Sequence, residues 1–327
     1  MNDAAAITLV IPSYNRAQLI VETVASALNQ TMRFAEIIVV DDASTDETLA
    51  ALANFGSKIT VIASEKIGVQ TARNKGVAAA SSPYVTLCDS DDLLDSKFVE
   101  IISRWLTQNA ECDSVYSNFV TFDAISTGPD KFSCAPKSFF KDALKVDEFL
   151  SEIPDLYVKT VEFQPLFSSG VTIKKSFYQS IGGYDPTLNG IGSEDWEYTL
   201  RAVEAGNTSV CMTPLVRIRR HPGNDSKNKI RQILGEVTVL DKALAFHTLA
   251  NTFRKEIVAG INSRRVQAFD LAFGTRQYDY ASAILADISD VPRGIKFRIK
   301  VILTQLIRLR RIFNSTNPIP QSINAPN

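Results

Sequence analysis

Tyr84-Val85-Thr86-Leu87-Cys88-Asp89-Ser90-Asp91-Asp92-Leu93 is the stretch whose reading decides the fold. An apolar, β-branched run passes directly into three carboxylates, as expected of a buried strand whose carboxyl end opens on a ligand site in an α/β protein. Like charges this close raise one another's pKa unless a cation compensates them. Hard oxygen donors of this kind suit Mg²⁺ or Mn²⁺.

Outward from this strand, residues 7–11, 36–40 and 58–62 are further short β-branched runs, separated by helix-like stretches at 16–30, 45–54, 68–80 and 96–109. The alternation predicts a mostly parallel, doubly wound sheet flanked by helices. Residues 113–120, 171–173 and 209–213 read as additional strands. Residues 175–181 read as a short helix closed by Gly182-Gly183, and 194–205 as a helix ending at Gly206. Between 121 and 167, Gly128-Pro129, Pro136, Pro154 and Pro165 break the pattern, which predicts long loops.

Past about residue 226 only helical patterns follow, at 229–251, 253–273, 276–287 and 293–313. Two units are therefore expected: residues 1–225 as an α/β domain and 226–327 as an α-helical extension. Arg293–Phe313 holds seven basic residues and no acidic one. Its Ile295, Ile299, Ile302, Leu303, Leu306, Leu309 and Phe313 share one helical face. Such a segment either packs against the extension or lies in the headgroup plane of an anionic membrane. Ser315–Asn327, with three prolines, reads as a disordered tail.

A net charge of −1 over 327 residues gives no reason to expect nucleic acid as a partner. Cys88, Cys112, Cys134 and Cys211 form no C-x-x-C pair, and His221 and His247 are the only histidines, so no zinc pattern emerges. The start lacks a basic, then apolar, leader, and no uncharged run reaches ~18 residues. A reduced, cytoplasmic setting is the expectation.

The first strand ends in Pro12-Ser13-Tyr14-Asn15-Arg16 and the second in Asp41-Asp42-Ala43-Ser44-Thr45-Asp46-Glu47. Ser44 and Glu47 have the spacing of a capping box. Asp41 and Asp42 need another role, and ionised carboxylates at a strand mouth suit hydrogen bonds from a base or ribose. Gly68 to Gly76 opens a helix in which Arg73 is placed to compensate Asp91 or an incoming diphosphate. Neither a P-loop nor a G-x-G-x-x-G fingerprint occurs in this half. A calcium loop starting at Asp89 fails because Leu94 stands where glycine is required. Farther on, Ser193 has the makings of an N-cap, and Asp195, flanked by Glu194 and Trp196, is a candidate proton acceptor. His221, after Arg217, Arg219 and Arg220, could bind metal or a leaving-group phosphate.

Taken together, Val10–Arg16, Val39–Asp46, Gly68-x-x-x-Ala72-Arg73-Asn74-x-Gly76, Asp89-Ser90-Asp91-Asp92, Gly182-Gly183-Tyr184-Asp185 and Glu194-Asp195-Trp196-Glu197 resemble the inverting GT-A-fold glycosyltransferases of glycosyltransferase family 2. The resemblance covers residues 7–221. It implies a GT-A fold and a nucleotide diphosphate sugar donor, most often a UDP-sugar. Pro12, Ser13, Tyr14, Asn15, Asp41, Asp42, Arg73, Asp89 and Ser90 would hold that donor. A divalent cation, Mn²⁺ or Mg²⁺, would be held by Asp91 with Asp89 and His221. Asp195 would be the catalytic base, with Glu194 beside it, and Trp196 would meet the acceptor. The implied acceptor is a glycan or lipid-linked glycan of surface polysaccharide or lipopolysaccharide assembly, met at the inner face of the plasma membrane. The rival readings are a catalytically inactive nucleotide-sugar-binding scaffold and a sugar-phosphate nucleotidyltransferase. The latter would carry a glycine-rich loop after its first strand, where this chain has Pro12-Ser13-Tyr14-Asn15-Arg16.

Overall fold

The computed structural model describes residues 4–221, 223 and 228–316, with only the backbone course for 310–316; the predicted tail past residue 316 lies outside them. The first part of the chain runs β1 (Ile7–Ser13), α1 (Leu19–Leu28), β2 (Glu36–Asp42), α2 (Thr48–Ala53), β3 (Thr60–Ser64), α3 (Val69–Ala79) and β4 (Tyr84–Leu87). The middle runs β5 (Leu93–Leu94), α4 (Phe98–Gln108), β6 (Ser114–Phe122), β7 (Thr127–Asp130), β8 (Leu144–Val146), β9 (Phe149–Ser151), α5 (Leu156–Glu162) and β10 (Val171–Lys174). Then come α6 (Lys175–Ser180), α7 (Glu194–Ala205), β11 (Thr208–Arg219), α8 (Lys229–Phe246), α9 (Arg254–Gly274), α10 (Tyr278–Ala286) and α11 (Ile295–Thr316).

The strands form one sheet in the order β3-β2-β1-β4-β10-β6-β11-β9-β8, with β5 and β7 as side branches on β11 and β6. From β3 to β4 all pairings are parallel. The carboxyl ends of β1, β2 and β4 therefore emerge at the same edge, which brings Ser13, Asp41 and the Asp89 run together. Every residue of β1 and β4 is buried, consistent with parallel strands covered by helices on both faces. β10 then enters antiparallel between β4 and β6, and β11 runs parallel to β6. Residues 121–167 are more ordered than their prolines predict: β7, β8, β9 and α5 all fall there. Pairing of β9 with β11 anchors that region, an override by tertiary contact that local breakers do not reveal.

Helix α4 turns Phe98, Val99, Ile102, Trp105 and Leu106 inward, one apolar stripe at helical spacing. Helix α3 lies so close to β1 that a Cβ on Gly76 would come within 2.3 Å of Val10 Cγ1. This close approach fixes Arg73, one turn earlier, at the edge of the sheet. The core containing Val10 and Ile38 also includes Leu240 and Ala243 of α8 and Ile257 and Ile261 of α9. A separate core, around Ala268, Phe269, Ala281, Ile284 and Phe297, joins the end of α9 to α10 and α11. Among the described residues no helix is long and apolar enough to cross a membrane.

Because neither Val10 nor β1 can give way without disturbing the sheet, Gly76→Ala should destabilise the protein by ~1–3 kcal/mol, the usual cost of overpacking. Urea unfolding would show it as a lower midpoint with an unchanged slope. An unaltered midpoint would mean α3 is free to move away from β1.

Candidate active site

The three carboxylates after β4 are compensated separately. Arg73, whose guanidinium is only 4% exposed as a residue, donates from Nη2 to Asp89 Oδ1 at 2.7 Å and from Nη1 to Gln70 Oε1 at 3.1 Å. Asp91 Oδ2 meets His221 Nε2 at 2.9 Å and Arg16 Nε at 3.4 Å. Asp92 is buried and accepts the backbone N–H of Arg219 at 2.9 Å, tying the β4 edge to β11. Burial, followed by the charges of Asp91 and Asp89, pushes the Asp92 carboxyl well above the usual range. Arg73 thus pairs with Asp89 and not with Asp91, because α3 carries it to the β4 side of the cleft.

A cleft of about 450 Å³ opens over this cluster. Its walls include Pro12, Ser13, Tyr14, Asp42, Arg73, Asp89, Ser90 and Asp91 from the sheet edge, and Glu194 and Asp195 from the start of α7. Burial raises the Asp195 carboxyl to about 6; neighbouring Glu194 adds to the rise and Arg73 opposes it. A carboxylate so tuned can take a proton near neutral pH. Glu194 stands beside it in the first turn of the same helix.

The turn into α7 is held from the extension. Gly190, Gly192 and Ser193 all have positive φ. Ser193 occupies the N-cap position, but its hydroxyl makes no cap and instead donates to Gln232 Oε1 of α8 at 3.0 Å. Gly235, one turn on, faces this turn so closely that a Cβ would sit 2.0 Å from Gly192 O. Gln232 itself lines the cleft.

Other predicted residues serve the scaffold. Asn15 bridges the ends of β1 and β2: its N–H donates to Ser44 Oγ, and its Oδ1 accepts from Thr45 N–H at 2.8 Å. Ser44 is therefore not a capping-box residue; Asp46 accepts the Thr48 N–H at the start of α2, and Glu47 makes no side-chain cap. Asp41 is buried, with Oδ2 accepting from Ser44 N–H and Oδ1 without a hydrogen-bond partner among the described residues. Asp42 accepts from the N–H groups of Ile67 and Gly68 and pairs with Lys66 Nζ at 2.9 Å, so it shapes the loop entering α3 while still facing the cleft. Trp196 requires a correction. It is 1% exposed, donates Nε1–H to Thr160 O and lies under the Arg264 guanidinium, so it is a core residue and cannot meet an acceptor.

The sequence reading passed over Arg16, Lys66, Phe167, Ser168, Ser169 and Gln232, all of which line the cleft. Arg16 carried a signal, since it closes the motif after β1. Lys66 sits over the Tyr14 ring. Gln232 had no local signal because only tertiary packing brings α8 to the site. Ser13 Oγ, Gln70 Nε2 and Arg73 Nε are buried without a hydrogen-bond partner among the described residues. Unpaired polar atoms around a cleft are costly unless a ligand or water satisfies them.

The chain is similar to known proteins in sequence and in fold. The model of the family described as glycosyl transferase family 2 matches residues 8–150. The glycosyltransferase GlyG of Streptococcus pneumoniae is 32% identical over 149 residues, which is 44% of this chain and 49% of GlyG. Chondroitin synthase of Escherichia coli is 36% identical over 114 residues, 34% of this chain and 17% of that protein. The chain thus spans about half of GlyG and a smaller share of chondroitin synthase. In fold it is similar to S. aureus TarS 1–349, crystallised in complex with UDP-GlcNAc, with a TM-score of 0.53 at 15% identity, covering 85% of this chain and 88% of that one. The architecture is of the GT-A type, with a helical C-terminal region.

Arg73 opposes the rise in Asp195, so Arg73→Ala should raise the Asp195 titration above about 6. Carboxyl-carbon NMR of the two proteins would show the difference, and identical titration curves would mean that the two charges do not sense each other.

Proposed function

We propose that this chain, whose residues 8–150 match the model of glycosyl transferase family 2, transfers a sugar with inversion from a nucleotide diphosphate sugar, a UDP-sugar, to an acceptor hydroxyl. The acceptor is a glycan or lipid-linked glycan of surface polysaccharide assembly, met at the inner face of the plasma membrane. Residues 1–225 form the transfer unit, and 226–327 an extension that braces it. The observation carrying this reading is the placement of Asp195 across one cleft from the Arg73–Asp89 pair and the Asp91–His221 pair.

The residues fit a divalent cation. Asp91 Oδ2 and His221 Nε2 converge at 2.9 Å, and a carboxylate with an imidazole suits Mn²⁺. Among the described residues no group of three or more His, Cys, Asp or Glu side chains is placed to hold a metal ion, and Asp89, paired with Arg73, does not join Asp91 and His221 as the resemblance implies. Open coordination is usual where substrate phosphates and water complete the shell of such an ion. Gly223 N–H donates to His221 Nδ1, which places the proton of a neutral ring on Nε2. A cation bound at Nε2 would need the ring proton on Nδ1 instead, at the expense of the Gly223 contact. When present, the ion would neutralise charge growing on the diphosphate.

The chain's own groups account for the remaining steps. Arg73, whose Nε is unpaired among the described residues, and Arg16, which also lines the cleft, offer donors to the diphosphate. Tyr14 and Ser13 lie on the donor side, where a base can lie against the ring. Asp195 takes the proton of the acceptor hydroxyl as its oxygen bonds to the anomeric carbon. The bond from that carbon to the diphosphate oxygen breaks, its electron pair leaving with the nucleotide diphosphate. A single displacement requires no nucleophilic carboxylate. The unpaired Ser13 Oγ and Arg73 Nε support a ligand on this side of Asp195.

Asp195→Asn should retain nucleotide diphosphate sugar binding while turnover falls by ~10²–10⁴-fold, because an amide cannot accept the proton. Calorimetry and product formation read the two separately; turnover equal to wild type would shift the base role to Glu194. Asp91→Ala, or an excess of chelator on the intact chain, should abolish transfer with the fold preserved. Full activity in chelator would remove the cation from the mechanism.

A further inference from the structure

Helix α11 is packed on the opposite side from the one its apolar row suggests. Phe297 and Thr304 are buried against α9 and α10, with Val301 packed beside them. Lys300 pairs with Asp270 at 2.8 Å, and Arg308 donates to Ser282 Oγ at 3.0 Å. The row Ile295, Ile299, Ile302, Leu303, Leu306 and Leu309 is turned outward, between 42% and 75% exposed. Single exposed apolar residues are ordinary, but a continuous stripe along one helix marks a surface that meets something. At 100° per residue Lys296 lies on one flank of this stripe and Arg298 on the other, both exposed.

We infer that the outward face of α11 docks in the headgroup region of an anionic membrane, with its isoleucines and leucines against the acyl boundary and Lys296 and Arg298 against lipid phosphates. Charge complementarity selects this occupant. Residues 293–313 contain no acidic side chain, so a second copy laid on the stripe would bring Lys296 and Arg298 toward like charges with no partner in the segment. Anionic headgroups supply the missing charge, and an apolar stripe with basic flanks is the form of an in-plane helix. The inner face already holds α11 to the rest of the extension, so docking requires no unfolding. The surface extends the transfer reading by giving a lipid-linked acceptor a place to be met, yet it uses none of the cleft residues.

The test is flotation of the full chain with vesicles of phosphatidylglycerol and phosphatidylcholine in equal parts, compared with phosphatidylcholine alone. The chain should float with the anionic vesicles at low salt, and its affinity should fall ~10-fold or more in high salt or on neutral vesicles. Ile302→Asp with Leu306→Asp should abolish flotation while melting temperature and nucleotide diphosphate sugar binding stay at wild-type values. Lys296→Glu with Arg298→Glu, which touches no apolar contact, should weaken it ~10-fold or more. Failure of the intact chain to float, or equal flotation by both variants, overturns the inference. So does an intact chain that sediments as a dimer and becomes monomeric in the Ile302→Asp, Leu306→Asp variant, since the stripe would then belong to a second copy. Donor binding in the same samples reports on the transfer reading independently.

Discussion

Three carboxylates at the end of a buried strand are the constraint around which the site is built. Left together in a cleft of low polarity, they would hold protons or drive the strand ends apart. The fold limits this by sending each to a different element: Asp89 to Arg73 on α3, Asp91 to Arg16 after β1 and His221 after β11, and Asp92, whose buried carboxyl is still pushed well above the usual range, to the backbone of β11. These contacts fix α3, the end of β1 and the end of β11 relative to the end of β4. Asp195 lies near this positive charge with no direct ion pair to it among the described residues, and burial keeps its proton affinity raised.

The helical extension belongs to the same construction. Helix α8 contributes Leu240 and Ala243 to the sheet's core, and through Gly235 and Gln232 it supports the turn that delivers Asp195. Three positive-φ positions within four residues, Gly190, Gly192 and Ser193, are held in a tight course before α7. Ser193 is not a residue that favours such a conformation, and its hydrogen bond to Gln232 helps to offset the strain. Asp195, the proposed base, is therefore positioned jointly by the sheet and by a helix far along the chain.

Much of this was legible in the sequence, for physical reasons that differ by residue. The strands 7–11, 36–40 and 84–88 declare themselves because parallel strands are buried on both faces and read as continuous apolar runs. Pro12, Tyr14, Arg73, Asp91 and Asp195 were identifiable because a strand end or helix start carried chemistry that its local structure did not need. The errors came where one residue type serves two purposes. Trp196 has the look of a sugar platform but packs in the core under Arg264, and Ser44-x-x-Glu47 has cap spacing but Ser44 is used by Asn15. The order within 121–167 and the role of Gln232 depend on pairings distant in sequence, for which periodicity holds no information. In α11 the apolar row from Ile295 to Leu309 does share one face, with the Phe313 side chain outside the described residues, but which face packs depends on Phe297 and Thr304 fitting into the extension.

The account rests most heavily on Asp195 acting as an ionised base whose proton affinity the cleft has raised. The direct measurement is turnover against pH at saturating donor and acceptor. The base must be ionised to work, so with its carboxyl at about 6 the rate should fall as pH drops through about 6, losing tenfold per pH unit below it. A rate that stays level until the ordinary aspartate range, near ~3.9, would contradict the account, because the base would then be a carboxylate that the cleft leaves unperturbed.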